Sequence, residues 1–252
     1  MKKNFKKVNA AIIVIGNEIL SGRTQDLNVS FISKWLNEKN GISVNEVRVI
    51  PDIEKKIIST IRELKKKYNY IFTTGGIGPT HDDITAQSIS KVFKVKYVYH
   101  PEAFKILEKY YGKKDFNEGR QRMVWMPSRA KLILNPSSGA PGFYVKNVFC
   151  LPGVPSILES MLPNINNKIV GGKPIISKTI SLITYESEIA KPLKKVQELY
   201  KKVDIGSYPF FMKGKIGVSI VLRSNDKLKI KNCEKQVLTF VKKKRIKIIN
   251  RD

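Results

Sequence analysis

The sequence predicts an α/β fold: a three-layer domain, with a mostly parallel sheet and helices on both faces, followed by a small α+β domain. Three observations predict it. Apolar strand-like runs alternate with helical patterns from residue 10 to about residue 163. A turn with three glycines in four residues (Gly75, Gly76, Gly78) sits between a buried-strand run and a helical pattern. A polar, glycine-containing stretch at 164–173 then precedes a β-α-β-β-α order, which places domains at 1–168 and 174–252.

The elements follow in order. Residues 11–15 are continuously apolar, as a strand buried on both faces must be, and 27–38 repeat Val29, Ile32 and Leu36 on one helical face. Residues 42–49 alternate as a strand, and 53–68 form an amphipathic helix with lysines at its end. The run 71–73 is the next strand, and 82–93 the helix after the glycine turn. Two helices are expected at 101–111 and 115–124, then a strand at 131–134 and a hairpin, 143–145 with 148–151. Pro155 opens a helix at 156–162. In the second domain, strands at 175–183, 204–209 and 215–222 accompany helices at 186–202 and 231–241.

Composition narrows the function classes. A hydrophobic fraction of 42% is that of a folded globular chain. No apolar run approaches the roughly 18 residues that span a bilayer, so no membrane role is expected. The basic stretch Met1 to Asn9 leads into a first strand rather than a signal peptide, because the apolar run meets Gly16-Asn17-Glu18 without a small-residue cleavage site. Cys150 and Cys233 show no metal spacing and read as structural thiols in a reducing cytoplasm. The net charge of +26 resides in 38 lysines and only 9 arginines, scattered along the chain. Base and phosphate recognition favour the arginine fork, so no specific nucleic-acid partner is expected, only weak polyanion binding at low salt.

The glycine turn carries the chemistry. Bare N–H groups at a strand-to-helix turn suit a phosphate, and the adjacent Asp82 and Asp83 would repel it unless a divalent cation lies between. Local physics leaves a second reading open: Thr80 and Asp83 form a capping box. Glu18, in the turn after the first strand, is either a third metal ligand or a cap, and Asp52, after the second strand, either a site residue or a helix N-cap. Asp26 and Asn28 both suit capping. His81 reads as a surface side chain and His100 as structural. In a parallel sheet the ends of these three strands converge on one edge, where ligands bind.

Residues 74–85, Thr-Gly-Gly-Ile-Gly-Pro-Thr-His-Asp-Asp-Ile-Thr, resemble the signature of the MoaB/Mog molybdopterin-binding fold family. They are most similar to the branch holding the CinA amino-terminal domain and the molybdopterin-binding-like domain of FAD synthases. Gly16-Asn17-Glu18-Ile19-Leu20-Ser21-Gly22, Ser138-Gly139-Ala140-Pro141-Gly142 and Leu151-Pro152-Gly153-Val154-Pro155 resemble that branch's other loops. Thr24-Gln25-Asp26 with Asn28, and Ile205 to Pro209, lean toward the FAD-synthase type.

The resemblance implies a pterin- or nucleotide-like phosphorylated ligand and divalent-metal-dependent cleavage of a dinucleotide pyrophosphate such as FAD or ADP-ribose. The alternative is a non-catalytic molybdopterin or pterin-phosphate binder. The chain shows neither an adenylyl-transfer module nor a deamidase domain, so FAD synthesis and deamidation are not expected. Asp82 and Asp83 are the expected catalytic pair. With Glu18 they are the expected ligands of a Mg²⁺, Mn²⁺ or Co²⁺ ion. Ligand contacts are expected from Gly16, Asn17 and Asp52, from Thr74, Gly75, Gly76, Gly78, Pro79, Thr80 and Thr85, from Ser138, Gly139, Pro141 and Gly142, and from Pro152 and Gly153. The family resemblance also favours a homo-oligomer.

Overall fold

A computed structural model describes residues 8–212 and 214–251. The basic start of the chain, 1–7, lies outside the described residues. The chain divides into two compact units, Met1–Gly172 and Lys173–Asp252.

In the first unit, β1 (Val8–Ile15) is followed by a single turn α1 (Asn17–Leu20), α2 (Asn28–Asn40), β2 (Ile42–Ile50), α3 (Glu54–Lys67) and β3 (Tyr70–Thr74). Then come α4 (Thr85–Phe93), β4 (Tyr97–Tyr99), α5 (Pro101–Tyr111), α6 (Glu118–Gln121) and β5 (Trp125–Pro127). Next are β6 (Lys131–Ile133), β7 (Gly142–Val145), β8 (Val148–Leu151) and α7 (Pro155–Met161). The main sheet runs β2-β1-β3-β8-β7-β6. Its first four strands are parallel, and β7 and β6 are added antiparallel.

Strand alternation sends successive side chains to opposite faces. Ala11, Ile13, Ile15 and Ile71 pack against Ile57, Ile61 and Leu64 of α3 and Ile89 of α4. Ala10, Ile12, Val14, Phe72 and Phe149 pack against Ile32 and Leu36 of α2 and Leu158 and Met161 of α7. The expected three layers are therefore present. Register positions the site: Ile15 pairs with Ile50, Val14 with Thr74, and Thr74 with Leu151. The four loops that follow these parallel strands consequently start side by side on one edge.

Several boundaries differ from expectation. The helix expected from residue 82 begins at Thr85, so Asp82 and Asp83 lie in the turn before it. The helix expected at 115–124 shrinks to α6 and a 3₁₀ turn, Arg122–Val124. Gly119 weakens helix there, and the chain leaves to pair β5 antiparallel with β4, a two-stranded sheet the sequence pattern did not show.

The second unit contains β9 (Ile176–Ile183), α8 (Glu186–Leu199), β10 (Asp204–Met212), β11 (Lys215–Ser224), α9 (Lys227–Lys243) and β12 (Lys247–Arg251). Its antiparallel sheet runs β10-β11-β9-β12. Ile180, Leu182, Val218, Ile220 and Leu222 pack under Ile189 and Val196 of α8 and Ile230, Cys233 and Val237 of α9. The expected β-α-β-β-α order gains a sixth element, because the last residues pair with β9 as β12.

Candidate functional site

The glycine turn is fixed by the strands it leaves. Gly75 has φ +93°, and a Cβ there would lie 2.1 Å from the Ile15 carbonyl oxygen. Gly76 has φ +67°, and its Cβ would lie 2.2 Å from Thr85 Oγ1. Both conditions demand glycine before any ligand is considered. Thr85, fully buried, donates its hydroxyl to the Gly75 carbonyl (3.1 Å) and its N–H to the Gly76 carbonyl (2.9 Å). It fastens the turn to α4 from beneath rather than facing the cavity. Thr74 is likewise buried at the end of β3.

The turn's N–H groups divide into two sets. That of Gly75 donates to the Leu151 carbonyl at 3.1 Å, so it is not free to hold an anion. Those of Gly76, Ile77 and Gly78 have no acceptor among the described residues. The anion cradle that the glycine spacing suggests is thus shifted one residue along the chain.

The two aspartates have different roles. One oxygen of Asp83 accepts both the Thr80 N–H (2.7 Å) and the Thr80 hydroxyl, while the Asp83 N–H donates to the Thr80 carbonyl (3.3 Å). Only half of the expected capping box forms, because the Thr80 hydroxyl donates to Asp83 instead of accepting its N–H, and the N-cap of α4 is Ile84 rather than Thr80. Asp83 therefore shapes the turn. Asp82 is exposed, with its carboxyl held below the usual range by the neighbouring Thr80 side chain and its own backbone N–H.

Glu18 and Asp52 arrive from the neighbouring loops. A Cβ on Gly16 would lie 2.5 Å from Glu18 Oε1, so the Glu18 carboxylate folds back over the end of β1. Asp52 does not cap α3, whose N-cap is Ile53 without a side-chain bond. It accepts the Asn17 N–H at 2.8 Å instead. Burial raises the Asp52 pKa, opposed by that bond and reinforced by the charges of Glu18 and Asp82. Asp52 thus feels the charges of two carboxylates that come from the other two loops.

These loops enclose a cavity of about 620 Å³. Of the expected ligand residues, Gly16, Asp52, Gly75, Gly76, Gly78 and Pro79 line it, as do Thr80, Ser138, Pro141, Pro152 and Gly153. The three expected metal ligands, Glu18, Asp82 and Asp83, line it too. Asn17, Thr74, Thr85, Gly139 and Gly142 stand outside the wall. Gly139 packs on the Tyr110 ring, and Gly142 lies against the Cys150 carbonyl. An apolar part of the wall is formed by Ile77, Met123, Val154 and Ile157.

Sequence reasoning missed Arg120, Tyr111 and Met123, which reach the cavity from α5, α6 and the following turn. The Arg120 guanidinium lies 4.2 Å from the Tyr111 ring centre and donates to the Asp115 carbonyl. One signal was available: arginine is scarce in this lysine-rich chain. Asn28, read as a cap, instead donates Nδ2 to the Gly153 carbonyl at 2.7 Å and ties α2 to the loop after β8. Asp26 does cap, accepting the Val29 N–H at 3.0 Å. His100 is structural: its Nδ1 accepts the Ala103 N–H at the start of α5.

Among the described residues, no three His, Cys, Asp or Glu side chains form a metal-ligand cluster. The carboxylates fit a different pattern. Magnesium-type ions are commonly held by one or two carboxylates and by oxygens of a bound phosphate, rather than by an all-protein cage. Glu18, Asp82 and Asp83 all line the cavity, and one oxygen of Asp83 is engaged by Thr80.

Comparison with known proteins places this geometry. A family model described as a probable molybdopterin binding domain matches residues 11–171, and one described as the FAD synthase middle domain matches residues 174–249. A protein of Archaeoglobus fulgidus is 32% identical over 235 residues, covering 93% of this chain and 98% of its own. A protein of Saccharolobus islandicus is 34% identical over 204 residues, covering 78% of this chain and 77% of its own. Among solved structures, CinA of Thermoplasma acidophilum, a protein of unknown function, is similar at a TM-score of 0.59 and 31% identity. That match covers 64% of this chain and 99% of CinA.

Proposed function

The chain belongs to the family of probable molybdopterin binding domains, and from that premise we propose that it is a divalent-metal-dependent hydrolase of a dinucleotide-type pyrophosphate, of the FAD or ADP-ribose class. One observation carries the reading. Glu18, Asp52 and Asp82 line one cavity from three loops, and Gly76, Ile77 and Gly78, whose N–H groups have no acceptor among the described residues, line it too. The three carboxylates oppose a polyphosphate in the cradle, and a divalent ion between them would relieve that repulsion.

In this reading the N–H groups of Gly76, Ile77 and Gly78 would hold the pyrophosphate oxygens, and Glu18 and Asp82 would hold the ion. A metal held there would neutralise charge on the phosphate oxygens and make water a better nucleophile. Asp52 is the carboxylate suited to accept a proton, because burial and its charged neighbours raise its pKa. Asp83 and Thr80 keep the turn in shape. The apolar wall of Ile77, Met123, Val154 and Ile157 receives a ring of the ligand.

The second reading, a non-catalytic binder of a pterin phosphate, is favoured by the family description and by the same apolar wall. Calorimetry separates the two: a pure binder holds molybdopterin and leaves FAD unbound and intact. Release of AMP from FAD or ADP-ribose in the presence of Mg²⁺, Mn²⁺ or Co²⁺ supports the hydrolase reading. No cleavage with any of these metals rules it out. Self-association remains part of the proposal, to be read by light scattering.

A further inference from the structure

The cavity wall carries four carboxylates, Glu18, Asp52, Asp82 and Asp83, and Arg120 is its one cationic side chain among the described residues. An arginine in such surroundings would ordinarily form an ion pair with a neighbouring acid. Among the described residues, no carboxylate lies within ion-pair distance of Arg120. Its plane is fixed instead by neutral partners: the Tyr111 ring at 4.2 Å and the Asp115 carbonyl. These leave guanidinium donors free while removing much of the side chain's rotational freedom.

We propose that Arg120 is the phosphate-recognition residue of this cavity. It grips the anionic part of the ligand from the α5–α6 rim, while Gly76, Ile77 and Gly78 hold it at the end of β3. The proposal rests on the phosphorylated-ligand reading above and adds a recognition residue to it. Arg120 also explains how an acidic pocket attracts a phosphate before a metal is bound. The planar fork gives two parallel bonds to phosphate oxygens, which a lysine cannot supply. Ligands lacking a phosphate have no partner for it, so Arg120 discriminates for the anion and not for the base.

The test is calorimetric titration of the full chain with ADP-ribose and with inorganic pyrophosphate, in EDTA, with adenosine as the uncharged comparison. Wild type binds both phosphorylated probes. Arg120→Ala weakens them about tenfold or more, Arg120→Lys has an intermediate effect, and adenosine binding is the same in all three. Thermal melting checks that the variants are folded, and Arg120→Lys decides the matter if Arg120→Ala is not. ADP-ribose affinity equal to wild type in a folded Arg120→Ala or Arg120→Lys variant overturns the role of Arg120 and leaves the phosphate reading standing. If wild type binds neither phosphorylated probe, with or without Mn²⁺, both proposals fall together.

Discussion

The Asp52 carboxylate accepts the backbone N–H of Asn17 at 2.8 Å and so joins the loop after β2 to the loop after β1. The bond holds two of the three acidic loops in register at the sheet edge. It also holds a carboxylate where burial and the charges of Glu18 and Asp82 oppose ionisation. Asparagine at this position keeps an oxygen for Asn17 and removes the charge. A carboxyl group whose folded pKa lies above its unfolded value favours the fold when protonated, and that advantage is lost as pH rises through the folded value. Asp52→Asn is therefore expected to melt higher than wild type at pH 7, with the gap narrowing toward pH 4. Asp52→Ala, which loses the bond, is expected to melt lower by a few degrees, for about 1 kcal/mol. Equal destabilisation by both variants contradicts this account.

The two turn glycines differ from glycines that merely adopt positive φ. Gly22 has φ +73° with open space around its missing Cβ, whereas Gly76 has φ +67° and Thr85 Oγ1 at 2.2 Å. Gly22→Ala is expected to lose about 1 kcal/mol from the left-handed backbone alone. Gly76→Ala adds a clash and is expected to lose about 3 kcal/mol. Urea unfolding of both variants checks the order, and equal losses would falsify the steric argument.

Thr85 gives an independent view of the same turn. Its hydroxyl is buried and bonded to the Gly75 carbonyl. Thr85→Val keeps the shape and leaves that carbonyl without its side-chain partner, so about 1–3 kcal/mol of stability should be lost in urea unfolding. Once allowance is made for the fraction folded, ligand affinity should change little. A large affinity loss in a fully folded variant would move Thr85 back into the ligand's reach.

The expected turn signature exposed the fold and the glycine loop because both are local in origin. The strand runs at 11–15 and 71–73, the helix faces of α2 and α3, and the glycines at 75, 76 and 78 are read from spacing alone. What stayed hidden depends on contacts distant in sequence. Asp52 could be read as a helix cap as well as a site residue because Asn17, 35 residues away, was invisible to local pattern. The Gly75 N–H looked free because its acceptor, Leu151, comes from β8. Arg120 carried no motif at all, since Tyr111 and Asp115 orient it only after α5 and α6 have turned toward each other.

The cysteines should be inert in the folded chain. Burial pushes the Cys150 thiol up to about 12 and the Cys233 thiol up to about 11, so neither forms thiolate near neutral pH. A thiol-reactive dye at pH 8 is expected to label neither in native protein and both in guanidinium. Rapid native labelling of either would show that its core opens readily.

The proposed reaction is metal-dependent cleavage of a pyrophosphate in the cavity lined by Glu18, Asp52, Asp82 and the Gly76–Gly78 turn. The most direct measurement is AMP release from ADP-ribose and FAD by the full chain with Mn²⁺, Mg²⁺ or Co²⁺, set beside Asp82→Asn. The account predicts metal-dependent release by wild type and a loss of at least about a hundredfold in Asp82→Asn, with its fold and melting temperature retained. Undiminished release by Asp82→Asn, or none by wild type with any of these metals, would contradict it.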